Sequence, residues 1–193
     1  MTKSLVFATG NRHKLQEVQS LLGEDFALRC LKDVGIDVEI PETADTLQGN
    51  ALQKARFVFE RTRTACFADD TGLEVDALGG APGVYSARYA GEAKDDVANV
   101  RKLLDCMQGV SDRKARFRTV IAYIDASGEE HLFEGKVEGV ILEAPVGAEG
   151  FGYDPVFRPK GFVESFAQLS MTQKNTISHR GRALRALVEF LKS

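Results

Sequence analysis

The alternation of short apolar runs with segments of helical period constrains this chain more than any other feature. Leu5 to Thr9 reads as a buried strand, and Lys14 to Leu22 carries Leu15, Val18 and Leu22 at helical spacing, so the chain opens strand, turn, helix. Thr46 predicts the N-cap of a helix running to about Arg63, because Ala51, Leu52, Ala55, Val58 and Phe59 share one face. Thr64 to Ala68 reads as a short strand. A further helix from about Lys94 is marked by Val97, Val100, Leu104 and Met107, and a last one by Ala183, Leu184, Leu187, Val188 and Leu191. Arg116 to Asp125 and His131 to Leu142 predict two long strands joined by a turn at Ala126-Ser127-Gly128-Glu129. Alternating strands and helices predict an α/β layered domain, and the hairpin predicts that part of the sheet is antiparallel. A mixed sheet flanked by helices is the expected fold.

With 193 residues and 44% hydrophobic content, the chain supports one well-buried core, so a single domain over 1–193 is expected. The 25 Lys and Arg against 28 Asp and Glu give a formal charge of -3, which argues against a surface built to embrace nucleic acid. A polyanionic partner must be small or met locally. Cys30, Cys66 and Cys106 lack CxxC pairing and read as reduced core thiols. No window approaches the ~20 apolar residues that cross a bilayer, so no membrane partner is expected and the cytoplasm is the default compartment. The glycines gather between Gly72 and Gly91 and between Gly147 and Gly152, which predicts two irregular, site-forming loops.

Five segments carry chemistry. In ATGNRHK, Gly10 and Asn11 sit between a strand and a helix, where free N–H groups and Lys14 can seat a phosphate; taken alone, the segment reads better as a plain turn with a solvated lysine. In PETADTLQGNALQKA, Asn50 and Lys54 lie four apart at the margin of an apolar stripe, and Glu42 precedes the helix on a loop stiffened by Pro41. FADDTG sets Asp69 beside Asp70. If extended, the two point to opposite faces of the sheet; a magnesium ion relieves the repulsion of adjacent buried carboxylates, and a strand-end pair capping the Thr71-Gly72 turn is the plainer alternative. GFGYDPVF brackets a glycine with Phe151 and Tyr153 before Asp154, rings suited to stacking on a base or to packing on the core. In KNTISHRGRAL, His179 and Arg180 fall at a helix start, where a cation opposes the helix dipole and calls for something anionic facing it.

Taken in order, TGNRHK, ETADTLQGNALQKA, ADDTGLEVDALGGAPGVYSARYAG, GFGYDPVF and SHRGRAL resemble the inosine triphosphate pyrophosphatase family, from residue 9 to residue 184. The resemblance implies Mg²⁺-dependent hydrolysis of the deaminated purine nucleotides ITP, dITP and XTP to the monophosphate and pyrophosphate. It also implies an elongated α/β fold of two lobes with a central cleft, and a homodimer. On matching positions, Thr9, Gly10, Asn11, Arg12, His13 and Lys14 would hold phosphate. Glu42 and Asp70 would serve the metal, with Asp70 the proton acceptor for the attacking water and Asp69 ordering the metal's surroundings. Asn50 and Lys54 would steady the triphosphate or the carboxylates, and the Thr71 hydroxyl, at a place where serine is also common in the family, would serve substrate binding. Phe151, Gly152, Tyr153, Asp154, Lys174, His179 and Arg180 would line the nucleoside end.

Two other readings remain. A Maf-type pyrophosphatase acting on pyrimidine or modified nucleotides shares the expected fold, although SHRG and FGYD speak against it. A non-catalytic nucleotide- or RNA-binding module would use RKARFR, Arg113 to Arg118, as a basic patch; such a strand end is usually a solvated edge.

Overall fold

In the computed structural model, which describes residues 3–193, the opening run becomes strand β1 (Lys3–Phe7), and helix α1 (Arg12–Leu22) follows it. Asn11 starts α1: its side-chain oxygen accepts from the backbone N–H of His13 and Lys14, satisfying two donors that the first turn leaves open. Then come β2 (Phe26–Arg29), α2 (Leu47–Thr62), β3 (Cys66–Val75), β4 (Pro82–Gly83) and α3 (Asp96–Cys106). The chain ends with β5 (Lys114–Ile124), β6 (Glu130–Ile141), β7 (Phe157–Pro159), α4 (Met171–Ile177) and α5 (His179–Lys192). Thr46 does cap α2, its hydroxyl accepting from Gly49 N.

Hydrogen-bonded neighbours run β2-β1-β3-β5-β6-β7, with β4 on β3. The β1 strand pairs parallel with β2 and β3, whereas β3–β4 and β6–β7 are antiparallel, so the sheet is mixed as expected. Among the described residues no helix is long and apolar enough to cross a membrane.

The chain divides into two compact units. The first comprises Met1–Asp70, Thr119–Gly135 and Arg180–Ser193. Strand alternation decides its layers: Leu5, Phe7, Phe67 and Ile121 point to the face covered by Val18 and Leu22 of α1 and by Ala183, Leu184 and Leu187 of α5. Phe7 and Phe67 lie opposite one another in the parallel register and stack with centroids 4.5 Å apart, worth about 1 kcal/mol beyond their burial. On the other face Cys66 reaches the α2 backbone, its thiol donating to Ala55 O at 3.4 Å. The second unit, Thr71–Arg118 and Lys136–His179, packs Leu73, Val75, Ala115 and Phe117 against Val100, Leu103 and Met107, with Phe157, Phe166 and Leu169 in the same core.

Several sequence expectations are corrected. The short strand expected at Thr64–Ala68 runs instead from Cys66 to Val75. It carries both aspartates, Thr71 and Gly72 inside it, so there is no Thr71-Gly72 turn for an aspartate to cap. Val97 is exposed and Leu103 takes the buried place on α3. Of the cysteines only Cys66 is a core thiol, since Cys30 is half-buried and Cys106 exposed.

Candidate active site

Because β3 stays extended through Asp69 and Asp70, its pleat sends the two carboxylates to opposite faces. Asp69 follows Phe67 by two residues and therefore faces α1 and α5. There Lys14 Nζ donates to its Oδ1 at 3.2 Å and Arg180 Nε to its Oδ2 at 3.3 Å. Arg180 Nη1 donates in turn to Glu17, one helical turn after Lys14 on α1. Asp69, Arg180 and Glu17 are all at least 94% buried by side chain, so this is a charge chain kept from water. Burial alone would raise the Asp69 carboxyl, but Lys14, Arg180 and Lys54 outweigh it and hold it well below the usual carboxylate range. Asp69 is thus ionised at any ordinary pH.

Asp70 faces α2 and meets a different environment. Asn50 Nδ2 donates to its Oδ2 at 3.1 Å, while Asn50 Oδ1 accepts from Ala44 N at 2.9 Å. One amide therefore ties Asp70 to the loop that carries Glu42. Gln53 grips the same loop, accepting from Thr43 N at 2.9 Å and donating to Thr43 Oγ1 at 3.0 Å. Lys54 Nζ lies 3.3 Å from Glu42 Oε1 and donates to Asp69 O at 2.5 Å. The loop can approach because residue 49 is glycine: a Cβ there would sit 2.6 Å from Ala44 Cβ and 3.0 Å from Thr46 Oγ1. Burial raises the Asp70 carboxyl, and the charge of Glu42 adds to it. Lys54, Lys14 and the Asn50 hydrogen bond oppose this only in part, leaving it pushed up to about 6. Such a carboxyl can take a proton near neutrality. The two carboxylates also fit a hard dication, since each repels the other's charge until a cation joins them.

The β1–α1 turn completes the arrangement in the first unit. Thr9 is buried and its Oγ1 accepts from Asn11 N at 3.1 Å. Gly10, Asn11, Arg12 and His13 are exposed, and Lys14 is half-buried. A helix start that faces solvent with Lys14 beside it can receive an anion.

In the second unit, Asp154 Oδ2 accepts from Phe151 N at 3.0 Å and from Lys174 Nζ at 2.7 Å, a closed buried pair. Lys174 Nζ also lies 4.8 Å from the centre of the Phe151 ring. Gly150, at φ +73, passes so near Asp154 that a side chain would collide with the carboxylate. Phe151 and Gly152 border an open cavity of 460 Å³ together with Val97, Val100 and Pro155. His179 is buried and stacks on Phe117 at 4.7 Å. Tyr153 departs from the expectation of a ring offered to a base: it is 5% exposed, in the core, and its hydroxyl donates to Ser86 O at 2.6 Å. Arg180 Nε and Nη1 donate to Asp69 and Glu17 in the first unit. The anion anticipated opposite the helix start is supplied by the chain itself.

Glu17 was not legible as part of the site, although Lys14-x-x-Glu17 on one helix face was a usable signal. Gln53, which fixes the Glu42 loop, carried none beyond its place on α2. Within the basic segment Arg113 to Arg118, Arg113 donates to the carbonyls of Ile141, Met107, Val110 and Leu142, and Arg116 pairs with Asp76 at 3.0 Å, while Lys114 is exposed.

A mixed α/β sheet in which an inner strand presents one charge-balanced and one proton-hungry carboxylate, beside an open helix start, defines an α/β protein with an acidic, anion-competent site. More particularly, the chain belongs to the Ham1 family, which it matches over residues 5–190. It is 55% identical to a dITP/XTP pyrophosphatase of Porphyromonas gingivalis over 98% of this chain and 97% of that one. It is 48% identical to a dITP/XTP pyrophosphatase of Flavobacterium psychrophilum over 98% and 99%. Among solved structures, a HAM1 protein from Coxiella burnetii superposes with a TM-score of 0.90 at 37% identity, covering 99% of both chains. The Staphylococcus aureus Ham1 protein does so with 0.89 at 39%, covering 98% of both.

Proposed function

We propose that this protein is a Mg²⁺-dependent nucleoside triphosphate pyrophosphatase that hydrolyses ITP, dITP and XTP to the nucleoside monophosphate and pyrophosphate, clearing deaminated purines from the nucleotide pool. The observation that carries the proposal is the separation of the adjacent aspartates into two environments, Asp69 balanced by Lys14 and Arg180 and Asp70 raised beside Glu42. Relatives of near-equal length named dITP/XTP pyrophosphatase support the substrate class.

In this reading Glu42 and Asp70 hold the metal. When bound, Mg²⁺ supplies positive charge to the phosphate oxygens and orders the water around it. Asp70 accepts the proton of the attacking water, held in orientation by Asn50. The Lys14 ammonium and the Arg12 N–H, which the Asn11 cap leaves open at the start of α1, meet phosphate oxygens and stabilise the charge that builds up on them. Asp69 sets the Lys14 ammonium in place. No covalent nucleophile is needed, since phosphoryl transfer depends chiefly on positioning and charge. The nucleoside falls to Phe151 and Gly152, which border the cavity, Phe151 being held by the buried Asp154–Lys174 pair, and to His179. Donors directed at the purine 6-position accept a keto oxygen and reject the amino group of adenine, which would leave them unpaired. A homodimer and a cytoplasmic place of action belong to the same proposal.

Pyrophosphate release from dITP, dATP and dTTP with Mg²⁺ tests it. Fast turnover of dITP alone is expected; equal slow rates, or preference for dTTP as in a Maf-type enzyme, would overturn it.

A further inference from the structure

The turn between β5 and β6, Asp125-Ala126-Ser127-Gly128-Glu129, and the first residues of β6, Glu130 and His131, play no part in the chemistry above, yet they are built with unusual definition. Asp125 Oδ1 accepts from Ser127 N at 2.8 Å, Ser127 Oγ at 2.6 Å and Glu129 N at 3.0 Å. Those donors fix the carboxylate plane and turn Oδ2 toward His131 Nε2, at 3.8 Å. That distance is too long for a hydrogen bond. The Nε2 atom is nevertheless shut off from solvent and has no hydrogen-bond partner. Its ring is pinned by Phe190, with centroids 4.5 Å apart, and by Tyr123 at 6.0 Å. A ring nitrogen kept from water without a partner is destabilising, so such an arrangement needs a reason.

Glu129 supplies one. One ligand atom each from Asp125, Glu129 and His131 lies within 4.8 Å of the others. A tetrahedral ion with ligand bonds of roughly 2.0–2.2 Å needs its donors about 3.5 Å apart, and rotation of the exposed Glu129 side chain closes the difference. We propose that Asp125, Glu129 and His131 form a second metal site at this turn, binding a borderline divalent ion of the zinc type, with water as the fourth ligand. One imidazole nitrogen with two carboxylate oxygens suits Zn²⁺, whereas Mg²⁺ prefers oxygen donors alone. Ser127 acts behind the site: its hydroxyl holds Asp125 in the ligating orientation. A bound ion closes the turn and stabilises the folded chain by mass action.

The chain has three histidines, which makes imidazole ¹⁵N NMR decisive. With Mg²⁺ in excess to occupy Glu42 and Asp70, one equivalent of ZnCl₂ should move the His131 Nε2 resonance and leave His13 and His179 in place. By calorimetry, Asp125→Asn should lower Zn²⁺ affinity tenfold or more, and Ser127→Ala by about tenfold. A His131 resonance unmoved by Zn²⁺, or Zn²⁺ binding unchanged in Asp125→Asn, would overturn the proposal.

Discussion

Replacing Asp70 by asparagine removes a carboxyl that the fold holds in an unfavourable state at neutral pH while keeping its shape and a carbonyl oxygen for Asn50 to donate to. A rise from 3.8 to about 6 amounts to ~3 kcal/mol between the protonated and ionised forms. The sign follows from where the proton sits. Below about pH 4 the carboxyl is protonated in both folded and unfolded chains, and its folded environment costs nothing. Between about 4 and 6 the unfolded chain releases its proton first, which favours unfolding; above about 6 the whole penalty is present. In metal-free protein at pH 7.5, Asp70→Asn should therefore be more stable than the parent by ~2–3 kcal/mol. For a chain of this length that is roughly 4–12 °C in Tm. At pH 4 the gain should vanish, and at pH 7.5 saturating Mg²⁺ should raise the parent's Tm but leave the variant's unchanged. Differential scanning calorimetry in EDTA and in MgCl₂ reads all of this, with dITP turnover assayed alongside and expected to be nearly lost. A variant less stable than the parent at pH 7.5, or a gain that persists undiminished at pH 4, would refute the reasoning.

Other substitutions separate the remaining parts. Glu17→Ala leaves the buried Arg180 guanidinium with Asp69 but without its second carboxylate, and should cost about 3 kcal/mol in urea denaturation. Gly49→Ala should raise the Mg²⁺ concentration needed for half-maximal dITP turnover, because the new methyl pushes on Ala44 and shifts the Glu42 loop. If the half-maximal concentration is unchanged, the loop is not held as described. Tyr153→Phe should cost about 1 kcal/mol through the lost hydrogen bond to Ser86 and leave KM for dITP unaltered. A rise in KM would restore Tyr153 to the nucleoside.

Much of the first unit was readable because its signals are local. The Thr46 cap, the α2 stripe and the β5–β6 hairpin each follow from neighbours within a few residues. The opposite orientation of Asp69 and Asp70 follows from strand pleating alone. The length of β3 was not readable, since two aspartates and a glycine look like strand breakers until Lys14, Arg180 and Asn50 arrive from distant segments to satisfy them. The short strands β2, β4 and β7 owe their existence to pairing partners rather than to their own composition. Helix α4 is marked in the sequence only by its capping box, Ser170 with Gln173, and not by an apolar stripe. The ion pair of Arg180 with Glu17 has no local signal, because the partners lie 163 residues apart in the chain.

Binding of Mn²⁺, followed by loss of the free-ion EPR signal on titration with protein, tests the pairing of Glu42 and Asp70 most directly. Asp70→Asn and Glu42→Gln should each weaken binding at least tenfold relative to the parent. Equal affinity in all three proteins would contradict the account.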